Sequence, residues 1–221
     1  MSNLLLKSED TLDIESLHLI KNFITVEEEK FLLQMIYKED WDTSIKRRVI
    51  HFGHIFHYKN KKVNKSNFTG FPSWIEIILN RLKNIDILKK FIPDQCTINE
   101  YLPGIGISSH IDTHSSFTDN IISISLGSPI VMKFIDKTNN QTSSMYLPER
   151  SLLVLSGEAR YKYSHGISWR KTDCNPCGEI IKRRTRVSIT LRNIRKNNEP
   201  CNCKWPNLCD SQEGILGKTR L

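Results

Sequence analysis

The residues best placed to do chemistry are His110 and Asp112, separated by one position. On an extended strand, positions i and i+2 share a face. An imidazole nitrogen and a carboxylate oxygen can then be aimed at one point. They are two of the three ligands of a 2-His-1-carboxylate non-haem Fe(II) site, which keeps adjacent coordination positions open for reactants. The third ligand must come from elsewhere, and His165, in Tyr161-Lys162-Tyr163-Ser164-His165-Gly166-Ile167, supplies it. Taken alone, His165 would be a hydrogen-bonded structural histidine, and His-x-Asp occurs often by chance.

A second cluster lies at the C-terminal end, Cys201-x-Cys203-x5-Cys209, on a short segment with Pro200, Trp205 and Pro206. Three thiolates need one more ligand to make a tetrahedral structural Zn(II) site. His114 is the candidate; along an extended strand it lies about 13–14 Å from His110, too far to share the first metal. The rival pair is Cys174-x2-Cys177, whose spacing also suits metal.

The elements that must position these side chains follow from pattern. Thr25-Val26-Glu27-Glu28 is a capping box, and Phe31, Leu32, Met35 and Ile36 continue it as the apolar stripe of a helix. Lys46-Arg47-Arg48 opens a segment from Val49 to Tyr58, continuing into Lys59, Lys61, Lys62 and Lys65. Its aromatic and β-branched residues predict strand. Phe52, His54, Phe56 and Tyr58 would share one face, with His51 and His57 on the other. The segment is either a surface of rings and cations for a nucleobase and its phosphates, or a hairpin with a solvated basic rim. Phe71-Pro72-Ser73-Trp74 predicts a second helix with proline near its first turn and Ile77, Ile78, Leu82 and Ile85 as its stripe.

Beyond residue 93 the pattern is short strands: residues 95–101, the His110-x-Asp112 stretch, 121–127, 130–134, 152–155, the stretch around His165, and 186–192. Ile122, Ile124 and Leu126 alternate with serines. Cys96 is expected to be an inert buried thiol. Many strands preceded by two helices predict a mainly β fold with flanking helices, built as a barrel or double sheet.

At 221 residues the chain holds one medium domain with short appendages. The division expected is an N-terminal extension at 1–18, a catalytic domain at 19–195 and a metal-binding tail at 196–221. Hydrophobic residues at 38% and charged residues at 25% are ordinary for a globular protein. The net charge of +8 points toward a polyanionic partner. No apolar run is long enough to span a membrane, and the start is too short in apolar residues for a signal peptide. A cytosolic or nuclear site is expected, where six cysteines are better suited to metal than to disulfides.

His110-x-Asp112, His165 and Arg186-x5-Arg192, preceded by Asn99-x-Tyr101, together resemble the AlkB family of Fe(II)/2-oxoglutarate dioxygenases over roughly residues 19–195. Residues 48–58, 110–115, 125–128, 150–154 and 201–203 look most like its homologue-eight branch, which hydroxylates 5-methoxycarbonylmethyluridine at the tRNA wobble position. The resemblance implies a double-stranded β-helix, or jelly roll. It implies Fe(II) on His110, Asp112 and His165, and O2 as oxidant. It also implies 2-oxoglutarate held by Asn99, Tyr101 and Arg186, with Arg192 near the iron orienting cosubstrate or substrate. A planar guanidinium suits a carboxylate because it offers two parallel hydrogen bonds. In the same branch zinc is held by the positions of His114, Cys201, Cys203 and Cys209. The branch also carries an RNA-recognition module and a methyltransferase; neither is expected within this length, so tRNA would be met by the domain's own basic surface or with a separate methyltransferase or RNA-binding partner. The competing expectations are oxidative demethylation of alkylated DNA or RNA bases, and a catalytically silent RNA-binding scaffold.

Overall fold

The structure, a computed structural model, describes residues 12–57, 62–196 and 199–212, with backbone alone at 56–57 and 62–67. In chain order the elements are β1 (Leu17–Ile20), α1 (Val26–Ile36), β2 (Val49–His57), β3 (Lys62–Phe68), α2 (Glu76–Leu82), β4 (Gln95–Tyr101), β5 (Ile107–His110) and β6 (Phe117–Leu126). They continue with β7 (Ile130–Asp136), β8 (Thr142–Leu147), β9 (Leu152–Leu155), α3 (Gly157–Tyr161), β10 (Tyr163–Ile167), β11 (Thr172–Cys174), β12 (Ile180–Lys182) and β13 (Arg186–Ile194).

Seven strands form a large antiparallel sheet in the order β1-β9-β6-β13-β4-β2-β3. Four form a smaller one, β5-β10-β7-β8, and β11 pairs with β12 as a separate hairpin. Strict alternation divides the large sheet into two faces. Cys96, Ile98, Ile122, Ile124, Leu126, Val187, Ile189 and Leu191 pack on one face with Leu32, Ile36, Ile78 and Leu82 of the two helices. On the other face Tyr101, Leu153 and Leu155 meet Met132, Phe134, Met145 and Ile167 of the small sheet. Two antiparallel sheets closing over a shared interior are the jelly roll that the family resemblance implied.

The capping box forms as expected: Glu28 N–H donates to Thr25 Oγ1 at 3.1 Å and Thr25 N–H to Glu28 Oε2 at 2.8 Å. The stripe of α1 is narrower than expected. Leu32 and Ile36 are fully buried, whereas Phe31 is 40% exposed, because residue 31 lies a helical step of about 100° from 32. The second helix starts later than expected. Pro72 caps a single 3-10 turn, Ser73–Ile75, and α2 begins only at Glu76.

Two features were not anticipated. The short helix α3 opens directly after Ser156. The basic run Lys182-Arg183-Arg184 contains a buried cation. Arg183 is 5% exposed and binds Asp173 through Nε and Nη2 at 2.6 and 2.9 Å. Phe52, one of the rings proposed for stacking, lies edge-on to Trp74 at 5.8 Å in the helix-side core. The side chains of Phe56, His57, Lys62 and Lys65, and all of Tyr58, Lys59 and Lys61, fall outside the described residues.

Candidate active site

His110 and His165 sit opposite each other on paired strands, β5 and β10. Their rings lie 4.7 Å apart. The approach is close because Gly166 has no side chain: a Cβ there would stand 2.8 Å from Ser109 Cα. Asp112 does not share a strand with His110, as the i, i+2 argument had assumed. β5 ends at His110, and Asp112 lies in the loop that follows. The loop still turns the carboxylate inward, with Asp112 Oδ2 3.7 Å from His165 Nε2. One ligand atom from each of the three residues lies within 4.8 Å of the others.

The surroundings fit a metal. His110 Nδ1 is 2.9 Å from the Ser108 carbonyl. Donation there fixes the tautomer that frees Nε2 as a ligand. Arg192 Nε donates to Asp112 Oδ1 at 3.0 Å, and its Nη1 donates to Gln95 Oε1 at 3.0 Å. That leaves Asp112 Oδ2 buried with no hydrogen-bond partner, an expensive state unless a cation meets it. Burial opposes ionisation of Asp112, but Arg192 and the other neighbouring cations outweigh it and hold the carboxyl well below its usual range. Burial lowers His165 to about 3. Carboxylate and imidazole are therefore both in ligand form near neutral pH.

These groups open into a cavity of about 530 Å³, lined also by Asn99, Tyr101, Ser123, Arg186 and Arg192. Arg186 stands opposite Tyr101 in the sheet, with its guanidinium carbon 5.3 Å from the phenol centroid. It is 1% exposed. Its Nη2 donates to Ser125 Oγ at 2.9 Å, and its Nε has no partner. Burial lowers its pKa to about 10. Among the described residues no carboxylate meets this guanidinium, which suits a carboxylate arriving from outside. Asn99 Oδ1 accepts from Arg47 Nε at 3.0 Å, directing its amide nitrogen away from that arginine. Trp169, 53% exposed, stands in the cavity lining with Arg47, and Lys46 Nζ lies 5.7 Å from its ring centroid.

The second cluster also comes together. His114, Cys201, Cys203 and Cys209 each offer a ligand atom within 4.8 Å of the others. His114 Nδ1 is 3.5 Å from Cys203 Sγ; ligand bonds of about 2.0–2.1 Å to nitrogen and 2.3 Å to sulfur at a tetrahedral zinc would separate such atoms by about 3.6 Å. His114 is not two strand steps beyond His110. It lies in the same loop as Asp112, buried, with its pKa lowered by burial to about 4. Cys174 and Cys177 are both exposed, on the β11–β12 hairpin, and join neither metal-ligand group among the described residues.

The sequence pattern singles out neither Arg160 nor Trp169, and it marks Arg47 only as part of a basic run. Arg160 had a signal, since Gly157-Glu158-Ala159-Arg160 is rich in helix formers. Trp169 had none beyond its ring.

A family model for the 2OG-Fe(II) oxygenase superfamily matches residues 16–192. The chain belongs to that superfamily and, within it, to the AlkB family; it is an Fe(II)/2-oxoglutarate-dependent dioxygenase. It is 40% identical to the alkylated DNA repair protein ALKBH8 homolog of Arabidopsis thaliana, over 93% of this chain and 65% of that protein. It is 42% identical to the tRNA (carboxymethyluridine(34)-5-O)-methyltransferase ALKBH8 of Macaca fascicularis, over 89% of this chain but only 32% of the relative. The solved structure of OsALKBH1 superposes with a TM-score of 0.62 at 16% identity, covering 83% of this chain and 98% of that one, which supports the shared fold. No helix among the described residues is long and apolar enough to cross a membrane.

Proposed function

We propose that this dioxygenase hydroxylates the C5 side group of a modified wobble uridine in tRNA. The observation that carries the reading is one cavity lined both by His110, Asp112 and His165 and by Arg47 and the exposed Trp169, with Lys46 against the indole. An exposed indole gives a base a face to stack on, and neighbouring cations meet its phosphates. The choice of uridine is supported by the 42% identity to a protein named for carboxymethyluridine 34 of tRNA. The chain's net charge of +8 agrees with an RNA partner.

In this reading His110, Asp112 and His165 hold Fe(II). Arg186 takes the distal carboxylate of 2-oxoglutarate, with Asn99 and Tyr101 bonding the same molecule. Arg192 acts through Asp112, fixing one carboxylate oxygen so that the other faces the metal. When bound, iron and cosubstrate activate O2 and insert one oxygen atom into a substrate C–H bond, releasing succinate and CO2. The protein's own part is to orient the base on Trp169 and keep the triad in ligand form. A structural zinc on His114, Cys201, Cys203 and Cys209 pins the C-terminal tail, whose Asp210 accepts from Ser115 N–H at 3.0 Å, beside the iron loop.

The test is mass spectrometry of nucleosides from tRNA bearing 5-methoxycarbonylmethyluridine, after incubation with protein, Fe(II), 2-oxoglutarate and ascorbate. Gain of one oxygen on that nucleoside is the expected result. Release of formaldehyde from methylated bases, with the uridine unchanged, would replace this reading with demethylation.

A further inference from the structure

The loop between β5 and β6 carries Asp112 of the first metal cluster and, two residues on, His114 of the second. One buried side chain grips its main chain at several points. Arg160 is 2% exposed. Its Nη1 donates to Asp112 O at 2.6 Å, its Nη2 to Thr113 O at 3.1 Å and Phe117 O at 3.5 Å, and its Nε to Thr118 O at 3.4 Å. Among the described residues its hydrogen-bond partners are all main-chain carbonyls of this one stretch. A planar fork of donors met by four carbonyls specifies the path of the loop as closely as the loop specifies the fork.

The next residue reaches the other cluster. The Tyr161 ring meets His114 edge-on at 5.0 Å and stacks on Trp205 of the tail at 6.3 Å. Arg195 donates through Nε to His114 O at 3.0 Å and through Nη2 to Tyr161 Oη at 3.2 Å. One end of α3 therefore braces the carbonyl of an iron-cluster residue and, one residue on, the ring of a zinc-cluster residue.

The geometry points to Arg160 as a positioning residue that couples the two metal clusters, so that filling either one raises the other's affinity. This rests on the iron and zinc assignments proposed above. A metal that fixes His114 holds the loop in the arrangement in which the donors of Arg160 are met. That same arrangement aims Asp112 Oδ2 at the first cluster. Without the guanidinium, fixing His114 no longer fixes the Asp112 main chain, and Arg192 alone is left to steer the carboxylate. Linkage of this kind is reciprocal, so the factor measured from either side must be the same.

The experiment uses the full chain and Mn(II), an EPR-visible stand-in for Fe(II). Zinc content is measured first. Zinc is then titrated away with a zinc-selective chromophoric chelator, with and without saturating Mn(II). For wild type, Mn(II) tightens zinc by about tenfold, within the 5–150-fold span of such couplings, and zinc tightens Mn(II) equally. In Arg160→Lys, which keeps the charge but loses the fork, the factor falls to about one while zinc content stays at one per chain. One zinc per chain in wild type with no linkage overturns the coupling and leaves the cysteine assignment standing. No zinc on the cysteines overturns both. An unchanged factor in Arg160→Lys overturns the role of this residue. The wild-type measurement stands even if the variant folds poorly.

Discussion

Arg186→Met separates a guanidinium kept for an incoming carboxylate from one that holds the fold together. Arg186 is 1% exposed and has one side-chain hydrogen bond, to Ser125, with Nε unmet. An uncompensated buried charge costs about 3–5 kcal/mol by comparison with truncated ion pairs. Methionine removes that cost at similar volume, so the unliganded variant should melt at or above the wild-type midpoint. A carboxylate meeting the fork adds two charge-assisted hydrogen bonds worth about 1.5–3 kcal/mol each. At a hundredfold excess over Kd, 2-oxoglutarate stabilises Mn(II)-loaded wild type by about 2.7 kcal/mol, which is about 5–11 °C in a domain of this size. Differential scanning fluorimetry reads both quantities. The variant should lose the ligand-induced shift without losing its own midpoint. A variant that melts far below unliganded wild type gives Arg186 a structural task; one that keeps the full shift places the carboxylate elsewhere.

Trp169→Ala should raise KM for tRNA with little change in 2-oxoglutarate affinity, since one base–aromatic stack is worth about 1–3 kcal/mol; equal KM values would remove Trp169 from substrate binding. Cys209→Ser should lower zinc content well below one per chain and reduce the melting midpoint, because a structural zinc contributes folding energy directly; inductively coupled plasma mass spectrometry with a melting curve checks both. Asp173→Ala leaves Arg183 buried without its partner and should destabilise by about 3–5 kcal/mol. Urea unfolding reads this as a lower midpoint at unchanged slope, and an unshifted midpoint would contradict the buried pair.

Much of the architecture was legible in the sequence because it rests on local rules. The Thr25–Glu28 box and the alternation of Ile122, Ile124 and Leu126 with serines needed no tertiary information. The alternation also sorted cavity from core, since Arg186, Ser188, Thr190 and Arg192 face one way and Val187, Ile189 and Leu191 the other. Asp112 does come beside His110 and His165, but not for the reason that strand periodicity gives. Strand periodicity put it on the face of His110, whereas a loop held by Arg160 does so. That help comes from 48 residues downstream, and spacing cannot reveal it. The same holds for His114, which reaches the cysteines through a turn rather than an extended strand. Arg183 lies among charged neighbours in sequence, and only the fold shows its pairing with Asp173. In each case the missing information was an arginine contact from another part of the chain.

Anaerobic calorimetric titration of Fe(II) into wild type and Asp112→Ala, each with and without 2-oxoglutarate, tests the triad most directly. The account predicts one tight site in wild type, tighter with the keto acid present, and a loss of at least tenfold, about 1.4 kcal/mol, when the carboxylate is removed. Equal affinity and stoichiometry in the two proteins would contradict it.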